Sequence, residues 1–290
     1  MRFKLFLLLG LLVTMAGCRK NDGDPERGAV LTLTELKNDP VSDIRLWVYD
    51  NNGKLVNEYS YRSYTELADA LLPLPAGEYT FVVATNIVEP FKVQKSTTAT
   101  TDLENLYIKL NDASSSPAHA HYGVEKATIA ADDVTRVPLR LNRVMAEMGF
   151  MIKNIPAEVV KATLQITNVA EGFYPGIGKL SAQTAVASLG EQTSQGGTLT
   201  FPAKRIMPVV TPAVRSGETE LKTLLQLTVT YTTGATLTFD LEAPATQNGG
   251  SYTPEIEYSI LRQGITIEVD AINGWVELLP VNGEILNPNN

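Results

Sequence analysis

Cys18 is the only cysteine of the chain, and it follows a segment with the features of an export signal. Arg2 and Lys4 form a basic start, and residues 5–15 carry no charge. This uncharged run is too short to cross a bilayer of about 30 Å as a helix, so it predicts a secretory signal peptide over residues 1–17. Gly17 leads directly into Cys18, as in the bacterial lipobox, which predicts cleavage between the two residues and acylation of Cys18, for example with palmitate. The alternative is an ordinary cleaved signal followed by an incidental cysteine.

Acylation of Cys18 would place the mature protein on a membrane. Several acyl chains on one residue suffice for stable anchoring. Residues 18–28 are polar and contain glycine and proline, which predicts a flexible tether. Their basic-then-acidic order resembles the export tags that send lipoproteins to the outer face of the outer membrane in some anaerobic bacteria, although a solvated linker would look the same. We therefore expect a lipid-anchored protein of the outer membrane, exposed at the cell surface.

Two histidines are the other residues whose spacing could support chemistry. His119 and His121 would share one face of a strand, and Glu125 lies nearby in sequence. Zinc needs three or four ligands, and the sequence fixes no third one, so we favour the explanation that the pair is two polar residues in an exposed loop. The chain has no GxSxG nucleophile motif and no glycine-rich phosphate loop. We predict no catalytic residue, no metal site and no cofactor, and thus a protein that is not an enzyme.

Composition limits the partners. The chain has 290 residues and a formal net charge of −8, which argues against nucleic acid, because Lys and Arg supply most of the affinity for phosphates. A single cysteine excludes a disulfide within the chain. Stability must therefore come from burial of a core, and 44% apolar residues make that feasible at this length.

Alternating apolar residues predict an all-β fold. Ile44, Leu46 and Val48 alternate with other residues, residues 50–53 form a turn signal, and residues 55–61 can return as a hairpin partner. Similar short patterns separated by turns recur along the chain, which is typical of β-sandwiches. Ser/Gly-rich compositions predict loops at 111–118 and 186–198, and a modest helical pattern covers 64–72. The patterned segments, each predicted as a strand, are 29–36, 44–49, 55–61, 79–83, 225–231, 237–241, 256–260, 265–269 and 275–279.

Aromatic residues suggest a possible ligand surface. Trp47 and Tyr49 lie on the strand face opposite Ile44, and Tyr59 and Tyr61 could lie beside them across the hairpin. An exposed aromatic face of this kind could stack on sugar rings. The same face could instead be covered by another strand or domain.

A change of parity suggests the domain boundary. Leu139 and Leu141 are apolar at odd positions, whereas Val144 and Ala146 are apolar at even positions. A shift of one residue turns every side chain to the other face, so we expect a bulge or a change of sheet near Asn142. This predicts an N-terminal β-sandwich over 29–142 and a C-terminal β-sandwich over 143–290.

Four segments behind the lipobox, in this order, resemble the FimB-like fimbrial anchor subunits of the fimbrillin superfamily. They are SDIRLWVYDNNGKL, LPLPAGEYTFVVATN, VPLRLNRVMAEMGFMIKNIP and GITIEVDAINGW. The resemblance implies two tandem transthyretin-like β-sandwich domains, attachment to the outer membrane through the lipid, and assembly with other fimbrial subunits by β-strand exchange. In that family an arginine-specific protease cuts stalk subunits between their first two strands, and a neighbour's C-terminal segment fills the groove that opens.

This chain departs from the stalk pattern, because residues 37–43, which connect its first two strands, contain no arginine. An uncut chain keeps its first strand, Ala29–Leu36, and could donate a segment but not accept one. We therefore expect a fimbrial anchor, with a surface glycan-binding lipoprotein or a fimbrial tip or stalk subunit as the alternatives. Any host or glycan ligand is left open. The strand-exchange candidates in the tail, which could instead complete their own sheet, are Trp275, Val276, Leu278 and Leu279.

Overall fold

The computed structural model of the chain describes residues 27–34, 40–94, 102–210 and 221–261. These residues form short strands arranged in five sheets, together with brief helical turns. Elements of the first half are, in chain order, β1 (Gly28–Thr34), β2 (Ser42–Asp50), β3 (Leu55–Ser63), α1 (Tyr64–Ala68), β4 (Gly77–Thr85), β5 (Phe91–Gln94), a 3-10 turn (Leu103–Asn105), β6 (Tyr107–Leu110), β7 (His121–Ile129), β8 (Val134–Arg140) and β9 (Asn142–Arg143).

The second half of the chain also consists mainly of strands. Its elements are β10 (Ala146–Lys153), β11 (Val159–Ala170), β12 (Gly172–Tyr174), β13 (Lys179–Leu180), β14 (Thr184–Thr193), β15 (Leu199–Ile206), β16 (Lys222–Tyr231), β17 (Thr236–Pro244), β18 (Ser251–Tyr252), β19 (Glu255–Glu257) and α2 (Tyr258–Leu261). The predicted all-β, sandwich-like fold class is confirmed. The tandem transthyretin-like arrangement stays a prediction.

A five-stranded sheet in the order β3-β2-β4-β7-β9 organises the first half. The predicted hairpin is confirmed: β2 and β3 are antiparallel, joined by the turn at residues 51–54. Across this sheet β1 and β8 form a separate two-stranded parallel sheet. Apolar side chains from the two sheets, among them Leu31, Ile44, Phe81 and Leu139, form one buried core.

The other face of the five-stranded sheet is covered as well. A four-stranded sheet, β13-β12-β6-β5, lies over it, with the rings of Tyr122 and Phe173 6.2 Å apart across the contact. Trp47 is 2% exposed and Tyr49 is fully buried on this covered face. Of the two sequence-based alternatives for these residues, the covered face is therefore confirmed and the exposed sugar platform is wrong. Strands buried on both faces carry apolar side chains at consecutive positions, as β4 does at Phe81–Ala84.

The expected change of sheet near Asn142 is confirmed. Strand β8 pairs with β1, β9 pairs with β7, and β10 belongs to a further sheet with β15, β18 and β19. That sheet faces the antiparallel sheet β14-β11-β16-β17, and Phe150 and Leu227 belong to the core that includes both. Because β6 pairs with β12, hydrogen bonds also join the first half to the second. The division of the chain into domains 29–142 and 143–290 stays a prediction.

Two local predictions are wrong. Residues 186–193 belong to strand β14 rather than a loop, because backbone pairing with β11 and burial of Ala187 and Leu189 outweigh the Ser/Gly-rich composition. Tyr258–Leu261 is helical, although the alternating pattern predicted a strand through Ile260. Tyr258 turns its ring edge-on to Phe239, and its hydroxyl lies 2.9 Å from that of Tyr231, so tertiary contacts determine the ending of β19.

Candidate functional site: the first strand in its groove

Strand β1 is held by backbone hydrogen bonds on two sides. Its seven residues run parallel to β8, in register from Gly28 opposite Val134 to Thr34 opposite Arg140. On the other side Ala29 exchanges a pair of hydrogen bonds with Leu72: the Ala29 amide donates to the Leu72 carbonyl at 3.0 Å, and the Ala29 carbonyl accepts from the Leu72 amide at 2.8 Å. The predicted N-terminal strand is thus confirmed, although it begins one residue earlier than expected.

The side chains of β1 alternate as the sequence predicted. Ala29 and Leu31 are fully buried and Leu33 is 3% exposed, whereas Thr32 is exposed. The three buried side chains complete the core between β1/β8 and the five-stranded sheet. Each buried leucine stabilises the fold by about 1.5–3 kcal/mol through the removal of apolar surface from water. The first strand therefore fills an apolar groove of its own sheet.

Helix α1 contributes to the same core. It is capped by Ser63, whose hydroxyl accepts a hydrogen bond from the Glu66 amide at 3.2 Å. The Glu66 carboxylate in turn accepts from the Arg62 amide at 2.7 Å. This cap fixes the helix so that Leu67 is fully buried in the core that β1 completes.

Gly28 is required at the point where the strand enters the groove. Its φ is +141°, and a Cβ at this position would lie 2.1 Å from the carbonyl oxygen of Leu72. Any side chain would therefore collide with backbone in a conformation that L residues rarely adopt. Gly28 allows β1 and Leu72 to approach closely enough for the hydrogen bonds of Ala29.

Asn86 joins three chain segments, and sequence reasoning missed it. Its side-chain amide donates to the carbonyls of Pro40 at 2.9 Å and His119 at 2.7 Å, and its Oδ1 accepts from the Ser42 amide at 2.8 Å. Asn86 is 5% exposed and has φ +59°, a conformation that asparagine tolerates better than most residues. An asparagine directly after the apolar run of β4 was the available signal.

The arginines near β1 differ in accessibility. Arg27 is exposed immediately before β1. Arg45 is half-buried within β2, and its guanidinium donates to the Ser60 hydroxyl at 2.7 Å. A protease needs several residues of extended, unpaired chain, so the backbone at Arg45 is protected by its pairing with β3 and β4.

The two histidines contact protein groups. His121 is fully buried, and its Nδ1 lies 2.9 Å from the Thr85 hydroxyl. His119 lies 3.3 Å from a Glu147 carboxylate oxygen through its Nε2, and the two imidazole rings are 6.5 Å apart. Glu125 is four residues further along β7, about 13 Å from His121 at strand spacing. Among the described residues, no group of three or more His, Cys, Asp or Glu could hold a metal ion.

Burial raises the pKa of several tyrosines in this half of the chain. The pKa of Tyr49 is raised because burial disfavours the phenolate, and the charges of Glu58 and Asp102 add to this. Burial likewise raises the pKa of Tyr122. Tyr59 and Tyr61 pair with Leu46 and Ile44, so they share the face of the first core rather than that of Trp47, and the predicted cluster does not form.

The remaining predicted site residues fall in parts of the sequence that the structure does not describe. Gly17 and the acylation candidate Cys18 precede residue 27. The strand-exchange candidates follow residue 261; they are Trp275, Val276, Leu278 and Leu279. Within the described ranges, no helix has the length and apolarity needed to cross a membrane.

The fold and the occupied groove define an all-β, sandwich-like protein. Residues 31–278 match the sequence profile of the fimbrillin-A associated anchor proteins Mfa1 and Mfa2. Because this match covers most of the chain, the chain belongs to that family. The predicted family resemblance is confirmed.

Solved structures share the fold at low sequence identity. The fimbrial anchor protein Mfa2 from Porphyromonas gingivalis aligns with a TM-score of 0.55 and 14% identity, over 87% of this chain and 98% of that one. A candidate adhesin from Bacteroides thetaiotaomicron gives a TM-score of 0.58 and 14% identity, over 82% of this chain and 94% of that one. A candidate polysaccharide-binding protein from the same organism gives a TM-score of 0.56 and 14% identity, over 85% of this chain and 95% of that one. Among proteins with curated descriptions, no sequence matches this chain.

Proposed function

We propose that this chain is a lipid-anchored subunit that attaches a fimbria to the outer membrane through β-strand exchange. Family membership supports a role in a fimbria. The observation that carries the anchor role is β1, which lies buried in its groove and is bonded to β8 along its whole length. A neighbour's strand cannot enter a groove that is already filled.

The second part of the proposal concerns the direction of assembly. Exchange adds an extended segment of one subunit to unpaired backbone groups and apolar pockets of the next. With its own groove filled, this chain would act as donor, through the apolar alternation at Trp275, Val276, Leu278 and Leu279. Its Cys18 would hold the assembly to the membrane at the other end of the chain.

Truncation tests the donor role. Deletion of residues 275–290 in the native host should release fimbriae into the medium while the lipoprotein stays membrane-bound. Deletion of the polar end alone, residues 287–290, is the matched control and should leave fimbriae attached. Immunoblots of the cell and medium fractions measure both. Fimbriae that stay on cells after the longer deletion would show that the tail is not the donor.

Cys18→Ser tests the anchor role separately. If the lipid holds both subunit and fimbria, this change should shed the two together, since nothing else would link them to the membrane. Release of the subunit while fimbriae remain on the cell would refute the anchor role. A fimbria that persists, but loses binding to host surfaces, would instead support the tip role.

A further inference from the structure

The outward face of the four-stranded sheet β13-β12-β6-β5 carries an unusual set of side chains. Gln94 pairs with Tyr107, and Tyr174 pairs with Lys179, so these residues form one row across the four strands. Lys92 pairs with Lys109 in the neighbouring row, where Gly172 of β12 follows. We call this surface the tyrosine–lysine face; it consists of Lys92, Gln94, Tyr107, Lys109, Tyr174 and Lys179.

The two tyrosines of the face stack against each other across β6 and β12. Their ring centroids are 4.8 Å apart, with the planes tilted by 32°, and both side chains are half-exposed. Tyr107 leans over Gly172, where a Cβ would lie 2.8 Å from its hydroxyl oxygen. Its hydroxyl donates to a Glu171 carboxylate oxygen at 3.4 Å. The absence of a side chain at Gly172 and this hydrogen bond fix the orientation of the ring before any ligand binds.

Two exposed lysines give this face a positive charge on an acidic chain. Lys92 and Lys179 are exposed, and Lys109 forms an ion pair with Glu171. The Glu171 carboxylate neutralises Lys109, and the outward strand positions themselves carry no carboxylate, so Lys92 and Lys179 keep the face positive although the whole chain has a net charge of −8. An anion would therefore be attracted to this surface rather than to its surroundings.

We propose that the tyrosine–lysine face binds a carboxylate-bearing sugar ring, such as a uronic acid or a sialic acid. The C–H groups on one side of a pyranose ring can rest on the electron-rich face of Tyr174 that is turned away from Tyr107 and toward Lys179. The carboxylate pairs with the ammonium groups of Lys92 or Lys179, and the Gln94 amide is available to the ring hydroxyls. Aromatic side chains combined with a few polar groups are typical of such sites.

Other occupants fit this face less well. A protein partner that buried apolar surface would find two half-exposed rings surrounded by lysines, too little for a stable apolar contact. Single-stranded nucleic acid could also stack on tyrosines, but the net charge of −8 opposes a polyanion. This site is independent of Cys18 and of the tail, so it does not rest on the proposed anchor role.

Titration calorimetry with the full chain purified in detergent tests the proposal. The acidic probes are 3′-sialyllactose and tri-galacturonic acid, the neutral controls are lactose and maltotriose, and a thymidine oligonucleotide represents nucleic acid. We expect saturable binding of at least one acidic probe and much weaker binding of the controls. Added salt should weaken that binding severalfold, because the lysines are exposed.

Single substitutions test whether the acidic probe binds at the tyrosine–lysine face. Tyr174→Ala should weaken binding about tenfold, since loss of one stacking ring costs up to about 1.5 kcal/mol. Lys179→Gln should weaken binding of the acidic probe about threefold, as expected for an exposed ion pair. Lys126→Gln on β7, an exposed lysine of the five-stranded sheet, is the matched control and should have no effect.

Several results would overturn the proposal. They are the absence of saturable binding of both acidic probes, equal binding of lactose, tighter binding of the oligonucleotide, and unchanged affinity in both Tyr174→Ala and Lys179→Gln. Far-ultraviolet circular dichroism of each variant checks folding. If Tyr174→Ala does not fold, the affinity of Lys179→Gln alone tests the proposal. Lys179 is exposed and lies at the end of the row, so its replacement should not disturb the fold.

Discussion

Replacement of Leu31 by alanine should destabilise the protein by about 3 kcal/mol. Leu31 is fully buried at the middle of β1, in the core that β1/β8 and the five-stranded sheet share. Fully buried leucines cost about 2–5 kcal/mol when truncated to alanine, because the transfer free energy of the lost methyl groups adds to that of the cavity. Backbone pairing holds β1 to β8 on one side and to Leu72 on the other, so the groove can close only partly around the cavity.

Thr32→Ala is the matched control for this prediction. Thr32 is the next residue of the same strand, is exposed and lies opposite Pro138 in the same ladder. Its replacement should change the free energy of unfolding by less than about 0.5 kcal/mol. A similar change in both variants would mean that the strand contributes through its backbone, not through the filled groove.

Urea unfolding of the full chain, followed by circular dichroism, gives the two free energies from the midpoint and the slope. Native-state hydrogen exchange then locates the effect. In Leu31→Ala, the amides of β8, Val134–Arg140, should lose protection together with those of β1, because the two strands form one ladder. A loss of less than about 1 kcal/mol, or protection lost uniformly over all sheets, would refute the view that β1 is a groove filler.

Three further predictions concern single residues. Gly28→Ala should lower the thermal midpoint and cost about 2 kcal/mol or more, because its Cβ would lie 2.1 Å from the Leu72 carbonyl at a φ of +141°; an unchanged midpoint would contradict the close approach. Asn86→Ala should cost about 2–4 kcal/mol in urea unfolding, since two carbonyls and the Ser42 amide lose their partner, and Asn86→Asp should cost at least as much, because it turns a carboxylate oxygen toward the two carbonyls. Burial raises the pKa of Tyr49, so the stability that its neutral form provides is complete below the unfolded tyrosine pKa of about 10 and is lost as the pH rises above it. Tyr49→Phe should therefore lessen the fall in stability measured between pH 9 and 11, and leave stability at pH 7 nearly unchanged, because the Tyr49 hydroxyl has no hydrogen-bond partner among the described residues; equal alkaline loss in both proteins would refute this role.

Local patterns predicted much of the first half of the fold. Ala29, Leu31 and Leu33 alternate with polar residues, and the structure buries this same side of β1. The parity change near Asn142 predicted a change of sheet, because a side chain's face follows directly from its position in a strand. Such inferences depend only on the period of a strand and on burial of one of its faces.

The failures have a common cause. For Trp47 and Tyr49 the sequence left an exposed and a covered face as alternatives, because alternation tells which side chains share a face, and not whether a second sheet covers it. The parallel pairing of β1 with β8 joins residues about 100 positions apart, and a pattern within one strand holds no information about such a partner. The tyrosine–lysine face was missed for the same reason, since Tyr107 and Tyr174 become neighbours only when β6 and β12 pair.

The position of β1 links the two halves of the proposed anchor role. In a chain held by Cys18, tension from the membrane would pass through the tether to Arg27 and then directly into β1, the first hydrogen-bonded element of the described structure. The same contacts, namely the ladder to β8, the hydrogen bonds to Leu72 and the buried leucines, would both resist this tension and keep the groove filled. A substitution that loosens β1 should therefore weaken attachment and, at the same time, open the groove to a neighbour's strand. Under this proposal Leu31→Ala cells should shed more fimbriae than Thr32→Ala cells, and equal shedding would separate the mechanical role of β1 from its role as groove filler.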